Sequence, residues 1–251
     1  MLKTPDTIRS AVREHYADAA RKADSCCGPS DCGCGPNTTL YDDQLLTGLP
    51  SDVANFSLGC GDPISLAALQ PGEIALDLGS GGGLDCFLAA KQVGEMGRVI
   101  GVDMTPEMLK RARAAAERLG AANVEFRQGY LESLPVEDSS IDAVISNCVI
   151  NLSPDKPQVF REIFRVLKPG GRIAVSDIVT NGPLPQAVQN SMEQWGACVA
   201  GALDVKDYTR GLTDAGFADV RVQPKGETDK ALAMLPVGVP FSAAVTAVKP
   251  G

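Results

Sequence analysis

The chain is poor in several things, and each shortage narrows its chemistry. It has one histidine, His15, in 251 residues. That residue falls in the polar N-terminal stretch, so no histidine general base stands near any core strand. It has no surplus of positive charge: 23 lysines and arginines face 31 acids, a net charge of −8. Neutralising phosphates needs a basic face, so nucleic acid is excluded as a partner. The basic run "KRARAAAERLG" reads as the solvated face of one helix. No run of about eighteen apolar residues exists, so no membrane-spanning segment is expected. The opening "MLKTPDTIRSAVREHY" lacks the apolar stretch of a secretory leader, which points to the reducing cytoplasm. No internal repeat is visible.

What the chain does have is cysteine: eight, in a length that suits one α/β domain and needs no staples to hold a core. In a reducing compartment eight thiols point to metal or redox chemistry. Four crowd into "SCCGPSDCGCGP" as Cys26, Cys27, Cys32 and Cys34. The others, Cys60, Cys86, Cys148 and Cys198, are scattered.

Ile8, Val12, His15 and Ala19 lie along one side of a helix over residues 5–22, and the cysteine run after it reads as loop. From residue 73 strands and helices alternate. "EIALDLG", "RVIGVDM", "VEFRQGY", "IDAVISNCV" and "GRIAVSDIV" read as strands. "GLDCFLAAKQVG", "TPEMLKRARAAAERLG" and "PQVFREIFRVLKPGG" read as helices. Thr105 caps the second of these, Pro106 opens it, and Lys168-Pro169-Gly170 ends the third. Helices over 186–200 and 206–215 follow, then strands "ADVRVQP" and "FSAAVTAVK". This alternation predicts a doubly wound, mostly parallel, seven-stranded α/β sheet with an antiparallel edge hairpin. The expected organisation is an N-terminal helix and cysteine-rich segment over 1–72, then a core over 73–251 with substrate-side helices at 180–216.

"LDLGSGGG" runs a strand into Gly79, Gly81, Gly82 and Gly83, and Asp103 closes the next strand. Glycines at such a turn let backbone N–H groups approach a ligand closely, and an acid ending the second strand can accept both hydroxyls of a ribose. A nicotinamide fingerprint needs glycine or alanine where Leu84 stands, so the spacing disfavours that cofactor. The pattern over Asp77, Gly79, Gly81 and Gly83 resembles the first motif of class I methyltransferases. The resemblance implies S-adenosylmethionine as cofactor. By it Asp77 orders the loop around the methionine part, Asp103 holds the ribose and Met104 packs on the adenine. Ser80, Leu131 and Asn147 complete the implied cofactor residues, together with Tyr130, which stands where relatives often carry an acid.

Ligands of open α/β sheets bind beyond the carboxyl ends of the strands. Cys148 ends the fourth strand in "SNCVINLSPDK", Cys60 lies between glycines in "GCGDP", and Cys198 follows the fifth strand in "WGACVAGAL". All three can reach that rim. Cys86, on the first core helix, reads as core, and Trp195 as packing over the site. Set around this core, these segments resemble the arsenite methyltransferase family over about residues 10–215. The resemblance implies that Cys60, Cys148 and Cys198 bind arsenic(III), with Cys26 and Cys27 as accessory ligands. A longer form of that family carries a further C-terminal region not found in this chain.

The chemistry agrees with this. Arsenic(III) is soft and prefers thiolates, and three sulfurs leave it a lone pair that can attack a sulfonium methyl without losing a proton. No general base is needed, which suits a chain with one histidine. The implied partners are arsenite or its thiol conjugates and a thiol reductant of glutathione or thioredoxin type, acting on a monomeric, cytoplasmic enzyme of arsenic detoxification. Two alternatives share the fold: a quinone-type carbon or oxygen methyltransferase, and a thiol-rich metalloid-binding or redox-sensing protein. For the crowded cysteines a zinc clip is disfavoured, because the run has neither paired C-x-x-C units nor a histidine. A thiol arm that captures arsenic or exchanges disulfides with the site is preferred.

Overall fold

The computed structural model describes residues 4–22, 40–57, 59–225 and 237–251, so Cys26, Cys27, Cys32 and Cys34 lie outside the described residues. Helix α1 (Pro5–Lys22) comes first, then three short helices, α2 (Asp43–Leu46), α3 (Ser51–Ala54) and α4 (Pro63–Ala67). The alternating part follows as β1 (Ile74–Leu78), α5 (Leu84–Val93), β2 (Arg98–Asp103), α6 (Pro106–Leu119) and β3 (Val124–Gln128). It continues with β4 (Ile141–Asn147), α7 (Lys156–Val166) and β5 (Leu167–Thr180). Last come α8 (Gln186–Gln189), α9 (Met192–Gly196), β6 (Leu203–Asp204), α10 (Val205–Asp214), β7 (Ala218–Pro224) and β8 (Pro240–Val248).

The sheet runs β3-β2-β1-β4-β5-β8-β7. The pairs from β3 to β5 are parallel, while β8 lies antiparallel to both β5 and β7. The seven expected strands and the edge hairpin are present. An eighth strand, β6, joins β5 through Val179–Leu203 and Thr180–Asp204, a pairing too short to leave a period in the sequence.

The central strands are apolar on both faces because each face is covered. Leu76 and Leu78 of β1 pack into one fully buried layer with Val144, Phe160 and Ile163. Ala75 points into the other, with Cys86, Leu88, Leu109 and Ile145. This is the near-continuous hydrophobic pattern of a parallel sheet sandwiched between helices. Tyr41, Val53, Ile64 and Leu69, from ahead of β1, pack in that second layer.

Two helices differ from expectation. α7 stops at Val166, and Leu167 already pairs with Ile141 at the start of β5. Pro169 disfavours helical backbone in the residue before it, and the register then shifts before Ala143 meets Arg172. The helix expected over 186–200 is two short ones, because the Ser191 hydroxyl caps Gln194 and starts α9 afresh. Thr105 does precede α6, but its hydroxyl makes no cap, and its N–H donates to Asp103 Oδ1 at 2.7 Å.

β1 sits between β2 and β4, where the chain's direction of winding reverses. The crevice beyond the carboxyl ends of β1 and β4 is where such sheets bind ligands. Among the described residues no helix is long and apolar enough to cross a membrane.

Candidate active site

The glycine loop leaves β1 in left-handed backbone, with φ of 65° at Gly79, 51° at Gly81 and 91° at Gly83. Side chains at those angles are strained, so glycine is what the turn requires. The loop is tied to the end of β2. Gly79 and Ser80 donate to Val102 O at 2.7 and 3.1 Å, and Gly81 donates to Asp103 Oδ2 at 2.9 Å. Asp103 therefore organises the loop as well as facing the cleft. Burial raises its pKa, while N–H donors from Thr105 and Gly81 pull the other way. Asp77, expected to order the loop around the methionine part of the cofactor, lies near the end of β1, beneath it. It is 2% exposed and accepts the Cys86 thiol at 3.2 Å. Burial first, then the charge of Asp85, holds it well above the usual carboxylate range. Cys86 is core, as expected, but its thiol serves Asp77.

Beyond the loop lies an open cleft. Of the cofactor residues expected from sequence, Gly79, Ser80, Gly81, Asp103, Met104, Tyr130, Leu131 and Asn147 line it. Asp77 and Gly83 stand behind it. At Gly83 a Cβ would meet Phe126 and Phe87, so that glycine serves helix-on-strand packing. Arg9, Val12 and Tyr16 of α1 also line the cleft, as do Tyr41 and Asp85. Arg9 reaches Glu132 at 3.2 Å across it, an ion pair between segments far apart in sequence.

Behind Val12, Tyr16, Met104 and Leu152, which line the cleft, the structure brings the three scattered cysteines together; the cysteines themselves are not part of the lining. Cys60 and Cys148 are joined as a disulfide, and the Cys198 thiol donates to Cys148 O at 2.8 Å. The three cysteines thus cluster, with two of them oxidised to one another. Three free thiols exist here only after reduction. Ile8, Val12, Leu152 and Ile178 surround the sulfurs, and Tyr16, Met104 and Trp195 pack against them. The Tyr16 hydroxyl lies 3.6 Å from Cys198 Sγ. Trp195 packs where expected, with Lys156 Nζ 5.3 Å from its ring centroid. His15 is exposed on α1.

Cys148 and Cys198 both have left-handed backbone, with φ of 59° and 61°. Such non-glycine residues cost energy and persist where surroundings hold them. Cys148 donates its N–H to Ser176 O at 2.7 Å. Buried Asn151 donates to Asp177 Oδ1 at 2.8 Å, to Ile178 O at 2.6 Å and to Cys198 O at 3.4 Å. Burial pushes Asp177 up to about 7 and, nearby, Lys156 down to about 8.

Asn147 does more than line the cleft. Its Oδ1 accepts from Cys60 N at 2.9 Å and Gly61 N at 3.2 Å, and its Nδ2 donates to Gly61 O at 2.7 Å. The same Nδ2 meets the Tyr41 hydroxyl at 2.9 Å and Asp85 Oδ2 at 3.3 Å, while Tyr41 donates to Asp85 Oδ1 at 2.6 Å. Burial raises Asp85 to about 6. Tyr41, Asp85, Asn151 and Asp177 were not found by sequence reasoning. Their partners are tens of residues away, and no local pattern marks them.

A family model for a methyltransferase domain matches residues 69–216. The arsenite methyltransferase of Halobacterium salinarum is 46% identical over 90% of this chain and 61% of its own length. That of Aquipseudomonas alcaligenes is 42% identical over 90% of this chain and 67% of its own. This chain thus spans about three fifths to two thirds of those curated relatives. Among solved structures, an arsenic(III) S-adenosylmethionine methyltransferase from Chlamydomonas reinhardtii superposes with a TM-score of 0.69 at 39% identity, covering 86% of this chain and 75% of that one.

Proposed function

The chain belongs to the arsenite methyltransferase family, within the S-adenosylmethionine-dependent methyltransferases, and from that premise we propose that it methylates trivalent arsenic bound by its own cysteines. The observation that carries the reading is the convergence of Cys60, Cys148 and Cys198 in one buried cluster with Val12, Tyr16, Met104 and Leu152, which line the cleft beside the glycine loop.

The residues of the cleft fit S-adenosylmethionine. At Gly81 a Cβ would stand 4.0 Å from its nearest neighbours, so the loop leaves open room above its backbone. Asp103 offers a carboxylate at the ribose position, and Met104 and Leu131 offer apolar surface for an adenine. When bound, that cofactor supplies an electrophilic methyl group on a cationic sulfur. The protein's part is to hold the nucleophile. Three thiolates bind arsenic(III) as a pyramid whose lone pair points away from the sulfurs. Ile8, Val12, Leu152 and Ile178 keep water from that centre, and positioning takes the place of base catalysis.

Methylation leaves arsenic at the formal +5 level. Two thiolates that join as a disulfide return two electrons to arsenic and restore +3, and Cys60 and Cys148 are placed to form that bond. An external dithiol or a glutathione- or thioredoxin-type reductant then supplies two electrons to reopen the site, which suits a monomeric enzyme of the cytoplasm. The N-terminal cysteines Cys26 and Cys27 serve in this reading as accessory arsenic ligands. The test is incubation of the reduced protein with S-adenosylmethionine, thiol and arsenite, followed by speciation of arsenic. Methylated arsenic supports the proposal. Arsenite bound without cofactor consumption, or methylation of a quinone instead, overturns it.

A further inference from the structure

We infer that the C-terminal hairpin supplies part of the substrate site: Lys225, just after β7, and Ser242, in β8, are positioning residues that hold the Cys60 peptide for arsenic capture. The inference rests on the arsenite reading for its purpose, but its geometry stands apart.

Cys148 and Cys198 follow elements of the methyltransferase core, whereas Cys60 comes from a loop ahead of β1 that no strand pairs. Something else must fix it. On its N–H side the fixing group is Asn147. On its carbonyl side Ser242 Oγ donates to Cys60 O at 3.0 Å and Lys225 Nζ at 3.4 Å. The hairpin brings both there by register. Lys225 N donates to Ser242 O at 3.0 Å, and Ser242 pairs with Ile178 near the carboxyl end of β5. Both residues lie outside the matched segment 69–216, as Cys60 does.

The flanking glycines point the same way. Neither Gly59 nor Gly61 has positive φ, so the backbone does not demand glycine at either place. Close approach favours it, against the tied Asn147 carboxamide at Gly59 and against the movable Lys225 ammonium and the Ser176 hydroxyl at Gly61. A Cβ on Gly59 would lie 2.2 Å from the Asn147 carboxamide. One on Gly61 would lie 1.6 Å from Lys225 Nζ and 2.0 Å from Ser176 Oγ. The glycine-cysteine-glycine sequence is therefore what lets polar side chains grip the cysteine peptide from both sides.

The test uses two readouts on the reduced 251-residue chain. The first needs no arsenic: hydrogen exchange at the Cys60 and Gly61 amides. In Lys225→Met/Ser242→Ala it should speed up about tenfold, as a local opening loses its restraints. The second is arsenite titration followed by fluorescence of Trp195, the chain's one tryptophan, which packs against the cysteines. The half-saturation of the double variant should rise about tenfold, the weight of one to two hydrogen bonds. Turnover at saturating arsenite and cofactor affinity should stay within about twofold, because the grip acts equally on ground and transition states. Lys225→Arg should recover most of the loss. Gly61→Ala, which keeps both partners but displaces the ammonium, should reproduce it. Unchanged exchange in the double variant overturns the inference whatever arsenite does. So does faster exchange with unchanged half-saturation in a protein that binds arsenite. Variant-sensitive exchange in a wild type with no response to arsenite overturns the arsenite reading and leaves the grip on Cys60 standing.

Discussion

The two ends of the site, the glycine loop and the cysteine cluster, are built in opposite ways. At the cofactor end Gly79, Gly81, Asp103 and Met104 come from two consecutive strand ends, and backbone N–H groups do much of the work. At the cysteine end Cys60 and Cys148 are 88 residues apart, and Cys198 is 50 further on. Side chains hold that end: Asn147 between two segments, Asn151 and Asp177 behind a third. Backbone donors survive most substitutions, whereas a site hung on thiols and carboxamides does not. Variants at the second end should therefore cost more than variants at the first.

The largest effect should come from Cys148→Ser. Serine keeps the shape but offers a hard oxygen to a soft metalloid, so methylation should vanish while cofactor affinity stays within a few-fold. Near-normal turnover in that variant would erase the contrast between the two ends.

Asp103→Ala comes next. It removes the acceptor proposed for the ribose and the tie to Gly81, and should weaken cofactor binding by about 1.5–3 kcal/mol, the range for hydrogen bonds to a charged group. Arsenite binding without cofactor should not change. Calorimetry that finds wild-type cofactor affinity would show that the backbone alone holds that end.

The third effect is on stability. Asp177, raised to about 7 by burial, keeps a proton in the folded protein that an unfolded aspartate releases near pH 4. Stability from this group therefore falls as pH rises from about 4 to about 7 and is level above, since the native state binds more protons in that window. Asp85, raised to about 6, acts in the same direction over a narrower range. Thermal melts at pH 5 and 7.5 should show Asp177→Asn with the shallower decline. Equal slopes in wild type and variant would mean that the group is already ionised in the fold.

The smallest effect should come from replacing Cys26, Cys27, Cys32 and Cys34 together by serine. A thiol arm predicts an intact fold and an intact first methyl transfer, with weaker arsenic capture at low free thiol. A zinc clip predicts stoichiometric zinc in the wild type and a lower melting temperature without it. Metal analysis with a thermal melt separates them.

The same contrast explains what was legible in the sequence. The strand-glycine-helix pattern, Asp103 and the alternation of elements are local, and local periods survive in a single sequence. The cysteines were legible as residues, and the family resemblance gave their convergence. Their supports were not. Asn147 could be named as a cleft residue, but its grip on Cys60 spans 87 positions, and Tyr41 meets Asp85 across 44. Tertiary hydrogen bonds of that kind have no period. Nor could the sequence show which oxidation state two neighbouring thiols adopt.

The left-handed backbone at Cys148 and Cys198 has a consequence for how such a chain changes over generations. At both positions the conformation alone favours glycine, and a side chain there costs about 1–2 kcal/mol each. Glycine would relieve that strain but surrender a buried side chain at either turn, and at Cys148 the bond to Cys60 as well. A disulfide alone is worth about 2–4 kcal/mol, so packing and the sulfur bond offset the backbone cost. Drift toward glycine therefore gains nothing at Cys148, and the residue that reads as strained is held in place by stability itself.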